Sequence, residues 1–313
     1  MMIKETVILG QSLLTMSLGL SWQKRFGGQT ERRLRIITDN QNLADYDLTS
    51  LYELPAVVEW RRLLPYAEVI IDRVRSVNLP AKRIVGERRS YRFDELIIDF
   101  TPHWSVGELT TIGRHWRSLI RHLQADPKLV GKLLVQTPTV IGYQLLLAAL
   151  NERRESAKLT RQLKAAVIGG VNYLDKFAKE AGAVGPAKVE PLPGLVISHP
   201  RPIVNRRRLR GVRLDRSGKV MVDGKFHPTE QTTIKIIDNA KLDFLNSPRS
   251  SRWLAERIIN DQAVEISPSA VLNDGQRRLK IDSSGHSRGW RALVSYRLDR
   301  SVFNLWRRLM EPH

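Results

Sequence analysis

Three stretches of the sequence concentrate side chains able to do chemistry, and each implies a different one. The largest is basic. Between His199 and His227 stand Arg201, Arg206, Arg207, Arg208, Arg210, Arg213, Arg216, Lys219 and Lys225, opposed only by Asp215 and Asp223. Such a cluster repels itself unless salt or a polyanion sits against it, and arginine offers phosphate a planar fork. Val212, Leu214, Val220 and Val222 alternate around Asp215-Arg216-Ser217-Gly218, the period of a hairpin with an outward charged face.

The second stretch is the loop Asp282-Ser283-Ser284-Gly285-His286-Ser287-Arg288-Gly289-Trp290. His286 has the chemistry of a general base, with Asp282 to orient it and Arg288 to hold a phosphate. Serine and glycine also gather in hairpin loops for turn reasons alone, so the loop reads as a phosphate contact rather than a catalytic centre. The third set pairs tryptophan with arginine at Trp60-Arg61, Trp116-Arg117, Arg252-Trp253, Trp290-Arg291 and Trp306-Arg307. Rings that stack bases beside guanidinium groups that hold phosphates suit a single nucleic-acid strand. Trp116 and Trp306 sit at core spacing in their helices, which leaves Trp253 and Trp290 as the stacking candidates.

Several carboxylates and histidines are of the types that hold a metal. Asp94, Glu95 and Asp99 flank an apolar run, and Asp45 and Asp47 form an Asp-x-Asp pair of the kind that holds a divalent ion. The pair lies near a helix start and reads as a cap or turn. His115 and His122 are two turns apart, about 10 Å along an axis, which excludes a shared ion. No metal and no cofactor is expected.

Composition narrows the class. In 313 residues, 51 Lys and Arg against 32 Asp and Glu give a formal charge of +19. The chain has no cysteine, which excludes disulfides, thiolate–zinc sites, iron–sulfur clusters and thiol catalysis. No apolar run reaches the roughly 18 residues of a membrane span. The apolar segment from Val7 to Leu20 lacks a basic leader beyond Lys4 and a small-x-small cleavage site, so it reads as the start of the fold and the protein as cytoplasmic.

The elements that must position these groups form an α/β (α+β) pattern. Thr6–Leu9, a helix from Leu13 to Arg25 and Leu34–Thr38 make a βαβ-like unit. Gly10-Gln11-Ser12 sits where α/β folds bind ligands, yet it lacks both G-x-G-x-x-G and G-K-[ST], and reads as a plain turn. Further strands are expected at Val57-Val58, Glu68–Ile71 and Leu96–Phe100. Ser105 and Glu108 form a capping box for a helix to Gln124, with Leu109, Ile112, Trp116, Leu119 and Leu123 as its apolar stripe. Val140–Leu150 reads as a buried helix and Asn151–Ala181 as an amphipathic one. The glycine- and proline-rich segment at 185–194 reads as a linker between an N-terminal α/β and helical domain (1–184) and a smaller basic α+β domain (195–313).

These observations lead to a nucleic-acid-binding protein acting on single-stranded RNA or DNA within a nucleoprotein or mobile-element assembly. The expected contacts are Arg201, Arg206, Arg207, Arg208, Arg210, Arg213, Lys219, Lys225, Trp253, His286, Arg288, Trp290 and Arg291. The competing expectation is an α/β enzyme on phosphorylated substrates, a nucleotidyl or glycosyl transferase or a nuclease, docked on an anionic membrane surface. The residues carry no family resemblance.

Overall fold

A computed structural model describes residues 3–44, 57–101, 103–136, 140–168, 191–198, 200, 202–228, 231–238, 248–265, 269–273, 278–282, 285–288 and 305. The chain begins with strand β1 (Lys4–Leu9), helix α1 (Leu13–Phe26) and strand β2 (Arg32–Thr38). A short pair follows, β3 (Asn42–Ala44) and β4 (Val57–Glu59), then the single turn α2 (Trp60–Leu63) and β5 (Ala67–Ile71). A meander comes next: β6 (Val74–Asn78), β7 (Arg83–Gly86) and β8 (Ser90–Arg92). It delivers the chain to β9 (Glu95–Asp99). Then come α3 (Val106–Ala125), β10 (Gly131–Val135), α4 (Val140–Glu155), α5 (Ala157–Gln162) and β11 (Leu163–Val167). Beyond residue 190 are β12 (Gly194–Ile197), β13 (Leu209–Arg210), β14 (Ile234–Ile237) and α6 (Pro248–Ile259), followed by the antiparallel strands β15 (Ser269–Asn273), β16 (Arg278–Asp282) and β17 (Gly285–Arg288).

The main sheet is all parallel, in the order β14-β9-β1-β2-β5. Its central strand buries Val7, Ile8 and Leu9 completely, as a strand covered on both faces must. One face packs α1 and α6 through Met16, Leu18, Trp22, Leu254 and Ile258. The other carries the meander, with Val77, Ile84 and Tyr91 against Val7, Leu9, Leu96 and Ile98. A second parallel sheet, β11-β10-β12, shares a core with α3, α4 and α5 built on Trp116, Leu133, Val135, Leu145, Leu159 and Leu163.

The mixed α/β class expected from the sequence is the class observed. The capping box at Ser105 and Glu108 is present in both directions. The expected long helix beyond Asn151 ends instead at Gln162, and Leu163–Val167 forms a strand. Leu159, Leu163 and Val167 satisfy a helical spacing, but the segment Leu163–Val167 also pairs residue for residue with Gly131–Val135. That pairing buries Leu163, Ala165 and Ala166, and tertiary burial overrides a local period. Strands from beyond residue 190 complete sheets begun earlier: β12 pairs with β10, β13 with β6 and β14 with β9.

Candidate functional site at the carboxyl edge of the main sheet

From β1 the chain crosses one way to β2, while β9 lies on the other side. The carboxyl ends of β1 and β9 therefore flank the sheet's switch point, where folds of this kind bind ligands. Gly10, Gln11 and Ser12 form the turn there. Ser12 is the N-cap of α1: its Oγ accepts the amides of Leu14 (3.0 Å) and Thr15 (3.3 Å). The Ser12 amide donates to Thr15 Oγ1 at 3.4 Å. Both hydroxyls donate to one oxygen, Asp99 Oδ2, at 2.5 Å from Ser12 and 2.6 Å from Thr15. The other oxygen, Oδ1, accepts the Thr101 amide at 2.9 Å. Asp99 is fully buried, and burial pushes its carboxyl above the ordinary range against the pull of these donors. The crowding reaches Gly10, where a Cβ would lie 2.0 Å from Thr15 Oγ1 and 3.0 Å from Asp99 Cβ.

Beside this knot, on the β2 and β5 side, lies a cavity of about 510 Å³. Gln11 borders it from the first turn, Asp39 and Asn40 from the end of β2, Asp72 and Arg73 from the end of β5. Glu87 and Arg88 contribute from the meander, and Ser105 and Glu108 from the first turn of α3. Most of these groups are engaged. Asp72 accepts the Tyr91 hydroxyl at 2.6 Å and the amides of Glu87 and Arg88. Glu108 Oε2 accepts both the amide and the hydroxyl of Ser105 at 2.8 Å. Asn40 donates to Gln11 Oε1 at 3.3 Å. Asp39 differs: its Oδ1 is buried with no hydrogen-bond partner. Burial first, then the neighbouring Glu108 carboxylate, raises the pKa of Asp39.

Several of the residues expected to meet nucleic acid are engaged within the fold. Arg206 is partly buried and engaged. Its Nε and Nη2 grip Asp238 at 2.8 and 2.6 Å, and the guanidinium lies 4.7 Å from the centre of the Phe100 ring. Lys225 pairs with Asp261 at 3.1 Å, and Arg208 donates to the Arg75 carbonyl. Arg207, Arg210, Arg213 and Lys219 lie along the same segment, but the expected hairpin is reduced to isolated bridges at Leu214–Val220 and Val222–Pro228. Val220 and Phe226 from it enter the core. Trp253 is exposed on α6 with Arg257 stacked on its ring. His286 and Arg288 fall on β17, and Arg201, Trp290 and Arg291 lie outside the described residues, as do Asp45, Asp47 and Trp306. Trp60 and Trp116 are fully buried.

The acidic candidates are likewise spoken for. Asp94 accepts the Glu5 amide, and Glu95 pairs with Lys4 and Arg32. Among the described residues no group of His, Asp and Glu could hold a metal ion. No helix among them is long and apolar enough to cross a membrane. Sequence reasoning weighed Asp99 only as a metal ligand and passed over Asp39 as a site residue. An acidic residue directly after β2 was the available signal for Asp39.

No protein-family profile and no characterised protein matches the chain by sequence. Solved structures do match its fold. The sulfide:quinone oxidoreductase of the hyperthermophilic bacterium Aquifex aeolicus superposes with a TM-score of 0.69 at 11% identity, over 98% of this chain and 92% of that one. A pyridine nucleotide-disulfide family oxidoreductase from Enterococcus faecalis V583 gives 0.54 at 11% identity, over 88% and 74%. Putidaredoxin reductase, in its covalent complex with putidaredoxin, gives 0.53 at 11%, over 90% and 82%. The chain thus has the architecture of these oxidoreductases along nearly its whole length. This corrects the nucleic-acid expectation, together with the nucleoprotein or mobile-element assembly drawn from it. The basic segment is a connection threaded through an oxidoreductase-like fold, and its charge surplus misled because Asp238 and Asp261, which pair with its cations, lie far along the chain.

Folds of this type hold flavin or pyridine dinucleotides, with the diphosphate on the amides of a G-x-G-x-x-G turn. The residues present do not fit that group. Gly10 keeps the first glycine, but Ser12 and Thr15 stand at the second and third. Their side chains consume the turn's amides and, with Asp99, fill the space over Gly10. The second parallel sheet departs as well: after β10 the sequence runs Gln136-Thr137-Pro138-Thr139, with no glycine before Gly142.

Proposed function

We propose that this chain is a small-molecule-binding protein on an oxidoreductase fold, and that it takes a ribose-bearing ligand in the cavity between the ends of β1, β2 and β5. The observation that carries this reading is Asp39. It follows β2 directly, borders the cavity and has a buried carboxylate oxygen without a partner. A buried acceptor left unsatisfied costs about 1–3 kcal/mol, which a hydroxyl from a ligand would recover. An acidic residue at this position in a doubly wound sheet is suited to ribose hydroxyls. Gln11 and Asn40 beside it add amide groups. The fold neighbours, named for redox reactions, support a small-molecule site over a macromolecular one. Disulfide chemistry is outside the reach of a chain without cysteine.

Calorimetric titration with adenosine and with 2′,3′-dideoxyadenosine tests the reading. Adenosine should bind, the dideoxy compound should bind at least about tenfold more weakly, and Asp39→Asn should weaken adenosine to a similar degree. Equal affinity for the two nucleosides, or none for adenosine, refutes the assignment.

A further inference from the structure

We infer that the first turn of the main sheet is closed against diphosphates by its own side chains, so the ligand ends at the ribose or at a single phosphate and is not a flavin or pyridine dinucleotide. This deepens the Asp39 reading and rests on it for the ligand's ribose. The closure rests on separate residues.

A helix N-terminus of this kind attracts a phosphate because its first amides lack partners and its dipole favours negative charge. Here the amides of Leu14 and Thr15 end on Ser12 Oγ, and that of Ser12 on Thr15 Oγ1. The two hydroxyl protons in turn go to Asp99 Oδ2. A carboxyl group therefore occupies the switch point, held by donors from both sides. A diphosphate entering there would have to displace both hydroxyls and strip their two hydrogen bonds from a fully buried carboxyl, leaving it only the Thr101 amide. If that carboxyl were ionised, it would also face a like charge. The turn is also tightly filled: the Thr15 hydroxyl and Asp99 lie so close to Gly10 that a carbon added there would sit 2.0 Å from Thr15 Oγ1, while Ser12 puts a side chain at the second position, where a diphosphate-binding turn keeps glycine. The neighbouring cavity, bordered by Asp39, lies on the β2 and β5 side, so a ribose bound there need not cross this turn.

The experiment uses the full chain. It is incubated with FAD and desalted, and its visible spectrum is recorded. Thermal shifts are then measured with adenosine, AMP, ADP and inorganic pyrophosphate. No flavin absorbance should survive desalting, ADP should shift melting no more than AMP, and pyrophosphate should not shift it at all. One flavin retained per chain, or ADP clearly outperforming AMP, overturns the inference. The triple variant Ser12→Gly, Thr15→Gly, Asp99→Ala removes the two hydroxyls and the carboxyl they donate to together, and leaves the Thr101 amide without its acceptor. Folded by circular dichroism, it should bind ADP about tenfold or more tighter than AMP, the gain expected from restored charge-assisted bonds. A folded variant without that gain shows that these residues are not what excludes the diphosphate and overturns the assignment. Should the triple variant not fold, Ser12→Gly, Thr15→Gly, Asp99→Asn, which frees the same amides and keeps an acceptor for the Thr101 amide, faces the same criterion. Failure of adenosine binding with FAD still excluded removes the Asp39 reading and leaves the closure standing. Retained flavin does the reverse.

Discussion

Arg206→Met offers the sharpest test of whether the basic segment is structural. Asp238 is almost wholly buried, with its side chain 2% exposed, whereas that of Arg206 is 33% exposed. The carboxylate accepts two bonds from the guanidinium and one from the Val220 amide at 2.9 Å. Methionine keeps the aliphatic contact with Phe100 but leaves a buried carboxylate with a single donor. Breaking a buried pair costs about 3–5 kcal/mol. Because water reaches one side of the arginine, the lower end applies, and we expect a loss of about 3 kcal/mol, or roughly 5 °C in melting temperature for a chain of this size. Thermal and urea melts at low and at about 1 M salt measure it. The loss should persist in high salt, where exposed pairs are screened within about 3 Å. Arg206→Lys should recover part of the stability, since a point charge cannot reproduce the fork. Combining Arg206→Met with Asp238→Leu should recover most of it by removing the unpaired charge. A single-variant loss below about 0.5 kcal/mol, or one that vanishes with salt, would place Arg206 on a solvated surface and refute the reasoning.

Two further outcomes follow from the same structure. Asp261 is held well below the usual carboxylate range, first by His227 and then by Lys235 and Lys225. Its stabilisation is therefore present above the unfolded carboxyl pKa of about 3.9 and is lost as pH falls below it. The stability gap between wild type and Asp261→Asn should hold from neutral pH to about pH 4 and shrink below that; an unchanged gap at more acid pH would contradict the network. Gly194 enters β12 with φ at +147°, and a Cβ there would lie 2.2 Å from the Lys132 carbonyl oxygen. Gly194→Ala should thus cost about 1–3 kcal/mol in a denaturation curve, and a neutral result would show that β12 does not press on β10 as described.

The sequence by itself determined the local decisions, because their causes lie within a few residues. Ser105 and Glu108 satisfy one another's backbone, so α3 starts where its capping box says. Thr6–Leu9, the following glycine and the run from Leu13 determine the strand, turn and helix that open the chain. Gly10-Gln11-Ser12 could be read as a turn without a phosphate motif, and the structure supplies the reason in the side chains of Ser12, Thr15 and Asp99. Only the tertiary structure decided what meets over long separations. Whether Leu163–Val167 is helix or strand depends on Gly131–Val135 lying alongside. Whether Arg206 faces water or Asp238 depends on β14, which brings that carboxylate in from 32 residues away. Asp99 sits 87 residues from Ser12, and parallel pairing of β9 with β1 is what sets them together. Charge along a chain records composition, but the partner that neutralises each charge is chosen by topology, so the basic segment looked like a binding surface until the strands were in place.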